Sequence, residues 1–97
     1  MEKSLNTMPY ASAHVETRSD GTMDLISYRT LVVHVDAEGW LECTGLYSAT
    51  TRKHIGAFMR SEVSKLSGND LSYYTAKRCY ENGEKINIYT GEVVPVA

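Results

Sequence analysis

Long apolar runs are missing from this 97-residue chain. The longest, Leu31-Val32-Val33, is far too short to cross a bilayer. The stretch from Met1 to Tyr10 also has no apolar core of the kind a secretory signal needs, so a cytoplasmic protein with no membrane role is expected. Cysteine is scarce. Cys43 and Cys79 have no C-x-x-C neighbour and fall in different expected elements, which predicts reduced thiols rather than a disulfide framework. Excess positive charge is missing too. The net charge is −2, so the molecule as a whole has no electrostatic footprint for nucleic acid, and polyanion binding would need a local patch. No P-loop, G-x-S-x-G, dinucleotide fingerprint or Cys/His thiol-enzyme pattern occurs, so no catalytic residue and no cofactor are expected. His14, His34, His54, Cys43 and Cys79 lack the short spacings of structural zinc sites, so no metal is expected either.

The chain does have an ordinary globular balance, 42% hydrophobic and 23% charged residues, in a length that supports one core. Residues 1–10 show no periodicity and read as a loose arm, leaving 11–97 as a single domain. Asp20-Gly21 separates two alternating stretches, Ala13/Val15/Thr17 and Met23/Leu25, which is a hairpin signal because glycine takes positive φ in the turn. A second strand pair comes next. Leu31, Val33 and Val35 are expected on one face, Val32, His34 and Asp36 on the other, with Asp36-Ala37-Glu38-Gly39 as the reversal before Trp40. In its partner strand Leu41, Cys43 and Tyr47 share the buried face, so Trp40 points away and needs the arm or a second copy of the chain to cover it.

After Ser48 the period changes from 2 to 3.6. Ile55, Phe58, Met59, Val63 and Leu66 form a helical apolar stripe, closed by Ser67-Gly68-Asn69 with glycine at the left-handed cap. A second helix is expected from Asp70 to about Tyr80, capped by Asn69 or Asp70 and stopped at Asn82-Gly83, although the same Asn-Gly suits a type I′ turn. The remaining C-terminal segment reads as one strand with Ile86 and Ile88 on one face, and Pro95 marks an edge. The expected fold is α+β: an antiparallel sheet of about four to five strands with one or two helices on one face.

One segment runs against helix electrostatics. Arg52, Lys53 and His54 fall in the first turn, where the partial positive charge of free N–H groups makes cations unfavourable by a few tenths to about 1 kcal/mol each. Ser48, Thr50 and Thr51 bring hydroxyls, and no Glu or Gln completes a capping box. Free amides, hydroxyls and cations together suit a phosphate. Lys53, Gly56, Ala57 and Arg60 share a wheel face opposite the apolar stripe, which suggests a flat surface between cations. The candidate anion site is therefore Ser48, Thr50, Thr51, Arg52, Lys53, His54 and Arg60. A solvated basic face with a simple serine or threonine cap, and Gly56 packed under an aromatic ring of the same chain, is the plainer alternative.

Tyrosine is abundant where other aromatics are not, seven against one Phe and one Trp. Trp40, Tyr73, Tyr74, Tyr80 and Tyr89 are the candidate partner surface, because tyrosine joins contact area to a hydroxyl.

The segments YRTLVVHVD, GWLECTG and YSATTRKHI resemble a recurring pattern in short proteins of tailed bacteriophages and mobile elements, over about residues 27–60. Its most specific part is Tyr47, Ser48, Thr50, Thr51, Lys53 and His54. The resemblance implies a viral or prophage origin and no activity. The leading expectation is a non-enzymatic phage accessory protein that binds a host protein or assembly stoichiometrically. A nucleic-acid or nucleotide-binding module using the basic helix start is the alternative, and a small nuclease using His54 is the third.

Overall fold

A computed structural model describes residues 2–4 and 13–96. The strands are β1 (Glu2–Ser4), β2 (Ala13–Thr17), β3 (Met23–Ser27), β4 (Thr30–Val35), β5 (Trp40–Cys43), β6 (Glu84–Asn87) and β7 (Val93–Pro95). They form one antiparallel seven-stranded sheet in which every strand pairs with its neighbour in sequence, so spatial order and chain order coincide. The α+β expectation holds, with more strands than the four to five read from the sequence. Two sources account for the excess. Glu2–Ser4, inside the expected arm, pairs with β2, whereas the rest of residues 1–10 lies outside the described residues. The C-terminal stretch is also a hairpin rather than one strand. Asn87 Oδ1 accepts from the amides of Tyr89 and Thr90 and turns the chain back before Gly91, which has φ +79°. Pro95 does lie on the edge strand.

The described helices all sit between β5 and β6. Residues Ala49–Phe58 form α1, Met59–Val63 a π-helical turn, Ser64–Ser67 α2 and Tyr73–Asn82 α3. The π turn joins α1 and α2 into one continuous helix, with Ser64 N–H donating to Met59 O. The expected stripe is buried at Ile55, Phe58, Met59 and Val63, but Leu66 is 52% exposed. The wider π turn takes an extra residue into the winding and rotates Leu66 out of phase with the stripe. Gly68 ends this helix in the left-handed conformation, φ +75°, and Gly83 does the same for α3, φ +64°. The second helix thus stops where expected and starts later, capped at Ser72 rather than Asn69 or Asp70. Asn69 is used elsewhere: its amide donates to Ile88 O and Tyr89 O, tying the interhelical loop to the β6–β7 turn.

The core lies between the helices and one sheet face. Ala13, Val15, Met23, Leu25, Val33, Val35, Leu41 and Cys43 meet Ile55, Phe58, Met59, Val63, Ala76 and Cys79. Burial of this apolar surface, at roughly 25 cal/mol per Å², is what holds the helices down. Leu31 departs from its expected face. The β3–β4 register jumps between Leu25↔Val33 and Ile26↔Leu31, so Val32 is an extra residue, a bulge. The bulge breaks the alternation, leaving Val32 fully buried and sending Leu31 to the open face. Gly56 and Ala57 also depart from expectation. Both are buried, because α1 is covered by the sheet on one side and by α3 on another, and a Cβ on Gly56 would sit 3.7 Å from Tyr73 Cβ. Glycine there is a packing residue between helices.

The sheet face opposite the described helices carries a charge chain that no sequence pattern reveals. Glu16, Asp24, His34 and Glu42 occupy directly paired positions on β2 to β5. Arg18 reaches Glu16 at 3.1 Å and Asp24 at 2.8 Å, His14 meets Glu16 at 3.3 Å, and His34 bonds Asp24. Asp24 is almost enclosed by these partners, and its bond holds the Arg18 guanidinium pKa above its ordinary value. Trp40 lies on this face, half-buried, with Lys85 Nζ 5.6 Å from its ring.

Candidate functional site

The start of α1 is built from two loops and held by hydroxyls. Ser48, in extended backbone, is the N-cap: its Oγ accepts from Thr51 N–H at 3.2 Å and donates to Thr51 Oγ1 at 3.2 Å. Thr51 Oγ1 lies 3.2 Å from the Oγ of Ser27, the last residue of β3, and Ser27 Oγ is 2.8 Å from His54 Nδ1. Ser48 donates to Thr51, and the Thr51–Ser27 and Ser27–His54 contacts extend that bond into a continuous chain that a neutral imidazole can complete. Burial favours the neutral form by lowering the His54 pKa. Ser27 and His54 thus have the geometry of a nucleophile and base, but they are 2% and 0% exposed, enclosed between sheet and helix. His54, placed by the sequence among the cations of the helix start, is enclosed in the interior instead.

The outer surface of this junction belongs to different residues. Ser27 and Thr30 are paired, so Tyr28-Arg29 is a two-residue hairpin loop, and Tyr28 has φ +58° while Arg29 is not in the left-handed region. Positive φ at the first central position of a two-residue hairpin loop is normally glycine's place. Tyr28 nevertheless stands there, its ring against His54 at 5.8 Å between centroids and more than half exposed. Tyr47, immediately before the cap, has φ +26° and is 64% exposed. It does not join Leu41 and Cys43 on the buried face as expected, because β5 ends at Cys43 and its alternation ends there too. The Tyr47 ring instead covers Gly45, where a Cβ would collide with it. A left-handed conformation costs a non-glycine residue roughly 1–2 kcal/mol, and two tyrosines take positive φ in the two loops that Thr51 links at this helix start.

The sequence candidates divide accordingly. Arg52 closes the first turn, which contains no acidic residue, and Lys53 begins the second; both are exposed. Thr50 is half-buried, Ser48 and Thr51 spend their hydroxyls on each other, and His54 belongs to the interior. Arg60 is exposed two turns on, its guanidinium lying over Gly56. Sequence pattern alone does not single out Ser27, Tyr28 and Arg29. Their only sign is a polar Ser-Tyr-Arg-Thr interval between two apolar strands.

The aromatic candidates do not share one surface. Trp40 is on the open sheet face. Tyr73 packs half-buried against the core and meets Tyr74 edge to face at 5.4 Å, and Tyr74 is exposed. Tyr80 is partly exposed on the same helix, α3. Tyr89 sits in the β6–β7 turn over Gly39, where a Cβ would approach its ring to 2.5 Å. The two cysteines are buried free thiols on facing elements, β5 and α3. They line a cleft of about 350 Å³ with Glu42, Thr44, Tyr80 and Glu84. Burial raises both thiol pKa values, that of Cys43 to about 11, which keeps them protonated at neutral pH. Among the described residues no group of three or more His, Cys, Asp or Glu is placed to hold a metal ion. No helix among them is long and apolar enough to cross a membrane.

The sequence pattern of a family of unknown function matches residues 2–73. The match runs from β1 through α2 and ends on the first residue of α3. The whole α1 junction, with both exposed tyrosines, lies inside it, whereas Tyr74, Tyr80 and Tyr89 lie outside. No curated protein and no solved structure matches the chain.

Proposed function

The chain belongs to that family, DUF8033, and on that premise we propose that it is a non-enzymatic module that binds nucleic acid through the start of α1. The observation that carries this reading is that Arg52 and Lys53 are exposed beside a first turn with no acidic residue, and that the hairpin bearing the exposed Arg29 is tied to this turn through Ser27 and Thr51. Cations beside a positive dipole end are unfavourable there, and a phosphate backbone offsets that cost while accepting hydrogen bonds from N–H groups at a helix start. Binding rather than chemistry is favoured because the Ser27–His54 pair is enclosed and cannot meet a substrate.

Phosphate neutralisation predicts a salt dependence. With three cations engaged, the slope of log affinity against log salt for a single strand is about −2. Fluorescence anisotropy with short labelled DNA and RNA across a salt series tests this. The expected result is binding that follows that slope and is abolished by Arg52→Glu/Lys53→Glu in a protein that still folds. No binding at low salt, or binding indifferent to salt and to the double substitution, overturns the reading.

A second reading, stoichiometric binding of a host protein by a phage-encoded cytoplasmic protein, draws its support from α3, where Tyr74 is 73% exposed and braced edge-on by Tyr73. Loss of a captured host protein on Tyr74→Ala, with nucleic-acid binding absent, would favour it over the first.

A further inference from the structure

Cations alone do not choose between a duplex, a single strand and any other polyanion, but the two tyrosines beside them do. Resting on the nucleic-acid reading above, we propose that the ligand is a single strand whose bases stack on Tyr28 and Tyr47 while Arg29, Arg52 and Lys53 hold its backbone. Both rings are more than half exposed, at 56% and 64%. The Tyr28 ring meets the His54 imidazole at a tilt of 56° with 5.8 Å between centroids, and the Tyr47 ring lies over Gly45, so each is steadied by a neighbour while most of it stays open. An open aromatic ring held in place is a platform, and every base offers it a π face. Bases in a duplex are already stacked and cannot reach such a platform without being unpaired.

The buried hydroxyl chain gives the platform its geometry. Tyr28 comes directly after Ser27 and Tyr47 directly before Ser48, and Ser27 and Ser48 are joined through the single Thr51 oxygen by two contacts of 3.2 Å. The two tyrosine-bearing loops are therefore tied to each other as well as to α1, so both rings are held at one end of the helix without any ligand. Preorganisation of that kind lowers the ordering cost of binding. The occupant is chosen by charge and by shape together: three exposed cations and two open aromatic faces complement phosphates alternating with bases.

The test compares three probes of equal length by anisotropy: a thymidine oligomer, an abasic oligomer with the same phosphates, and a blunt duplex. The thymidine strand is expected to bind about ten-fold or more tighter than the abasic strand, since each stacked base contributes a substantial factor. Tyr28→Gly/Tyr47→Gly is expected to remove that difference and leave the weaker, salt-dependent binding. Glycine is the right replacement because it adopts positive φ freely, so the double variant keeps its fold, which circular dichroism verifies. Tyr28→Phe, which retains the ring, is expected to bind within about two-fold of the parent protein. Equal binding of abasic and thymidine strands, or a preference for duplex, overturns the stacking proposal while leaving the nucleic-acid reading intact. Failure of all three probes to bind overturns both.

Discussion

Removing one oxygen from the interior tests the α1 junction most directly. Ser27→Ala deletes an Oγ that bonds His54 Nδ1 at 2.8 Å and Thr51 Oγ1 at 3.2 Å at a site only 2% exposed. Each bond has a net value near 1 kcal/mol, and a buried imidazole nitrogen deprived of its partner adds a desolvation cost, so a loss of about 2–3 kcal/mol is expected. For a domain of this length that lowers Tm by roughly 10 °C or more. Urea unfolding monitored by far-UV circular dichroism measures it, with the m-value held to check that the two folded states are equally compact. Ser61→Ala is the control, because Ser61 Oγ donates only to Ala57 O of its own helix at 2.7 Å, and its removal is expected to cost less than about 0.5 kcal/mol. A Ser27→Ala loss no larger than that of the control would mean the hydroxyl chain does not hold β3 to α1 in solution, and the tyrosine loops would then need another anchor.

The same packing sets the response to acid. His54 is neutral in the folded protein with a pKa lowered by burial, so the unfolded chain binds a proton that the folded one refuses. Stability is therefore full above about pH 6.5, the unfolded value, and declines as pH falls toward the lower folded value. Denaturation series between neutral and mildly acid pH should show this, and a His54→Gln variant should lack that component; identical pH slopes in both proteins would refute it. Gly39→Ala is expected to destabilise by about 1–3 kcal/mol, because Gly39 has φ +94° and the new methyl would press into the Tyr89 ring. A thermal shift assay in which the alanine variant matches the parent would show that Tyr89 does not lie over that turn.

The parts of the fold legible in the sequence are those marked by residues with special backbone freedom. Gly21, Gly39, Gly68 and Gly83 each take positive φ at a reversal or helix end, and each is recognisable as such from its neighbours. Features without such marks stay hidden. Nothing about Leu31-Val32-Val33 distinguishes a bulge from plain alternation, because all three residues are apolar and suit either face. The π turn is equally silent, since Met59 and Val63 remain buried and only the displaced Leu66 betrays it. The candidate site shows the same division. Arg52 and Lys53 are visible as charges in an unfavourable place, but Ser27, Tyr28 and Arg29 come from a strand end far away in sequence, through a turn that lacks the glycine its geometry normally uses. His54 reads as a surface group for a related reason: its neighbours Arg52 and Lys53 are exposed, and only the partner on β3 reveals that the third residue of that run turns inward.

A meander in which each strand joins its predecessor has a consequence for the order of assembly. The hairpins from β2 to β5 close through short turns, so their loop entropy is small and they can pair as soon as their residues are available. The β5–β6 ladder is different, because the entire helical segment between Cys43 and Glu84 intervenes. That seam depends on the helices having docked, which makes it the late step of folding and the first place to open under strain. Until β6 arrives, the edge of β5 is a bare row of backbone donors and acceptors next to Trp40, the stretch of chain most exposed to wrong pairing during synthesis.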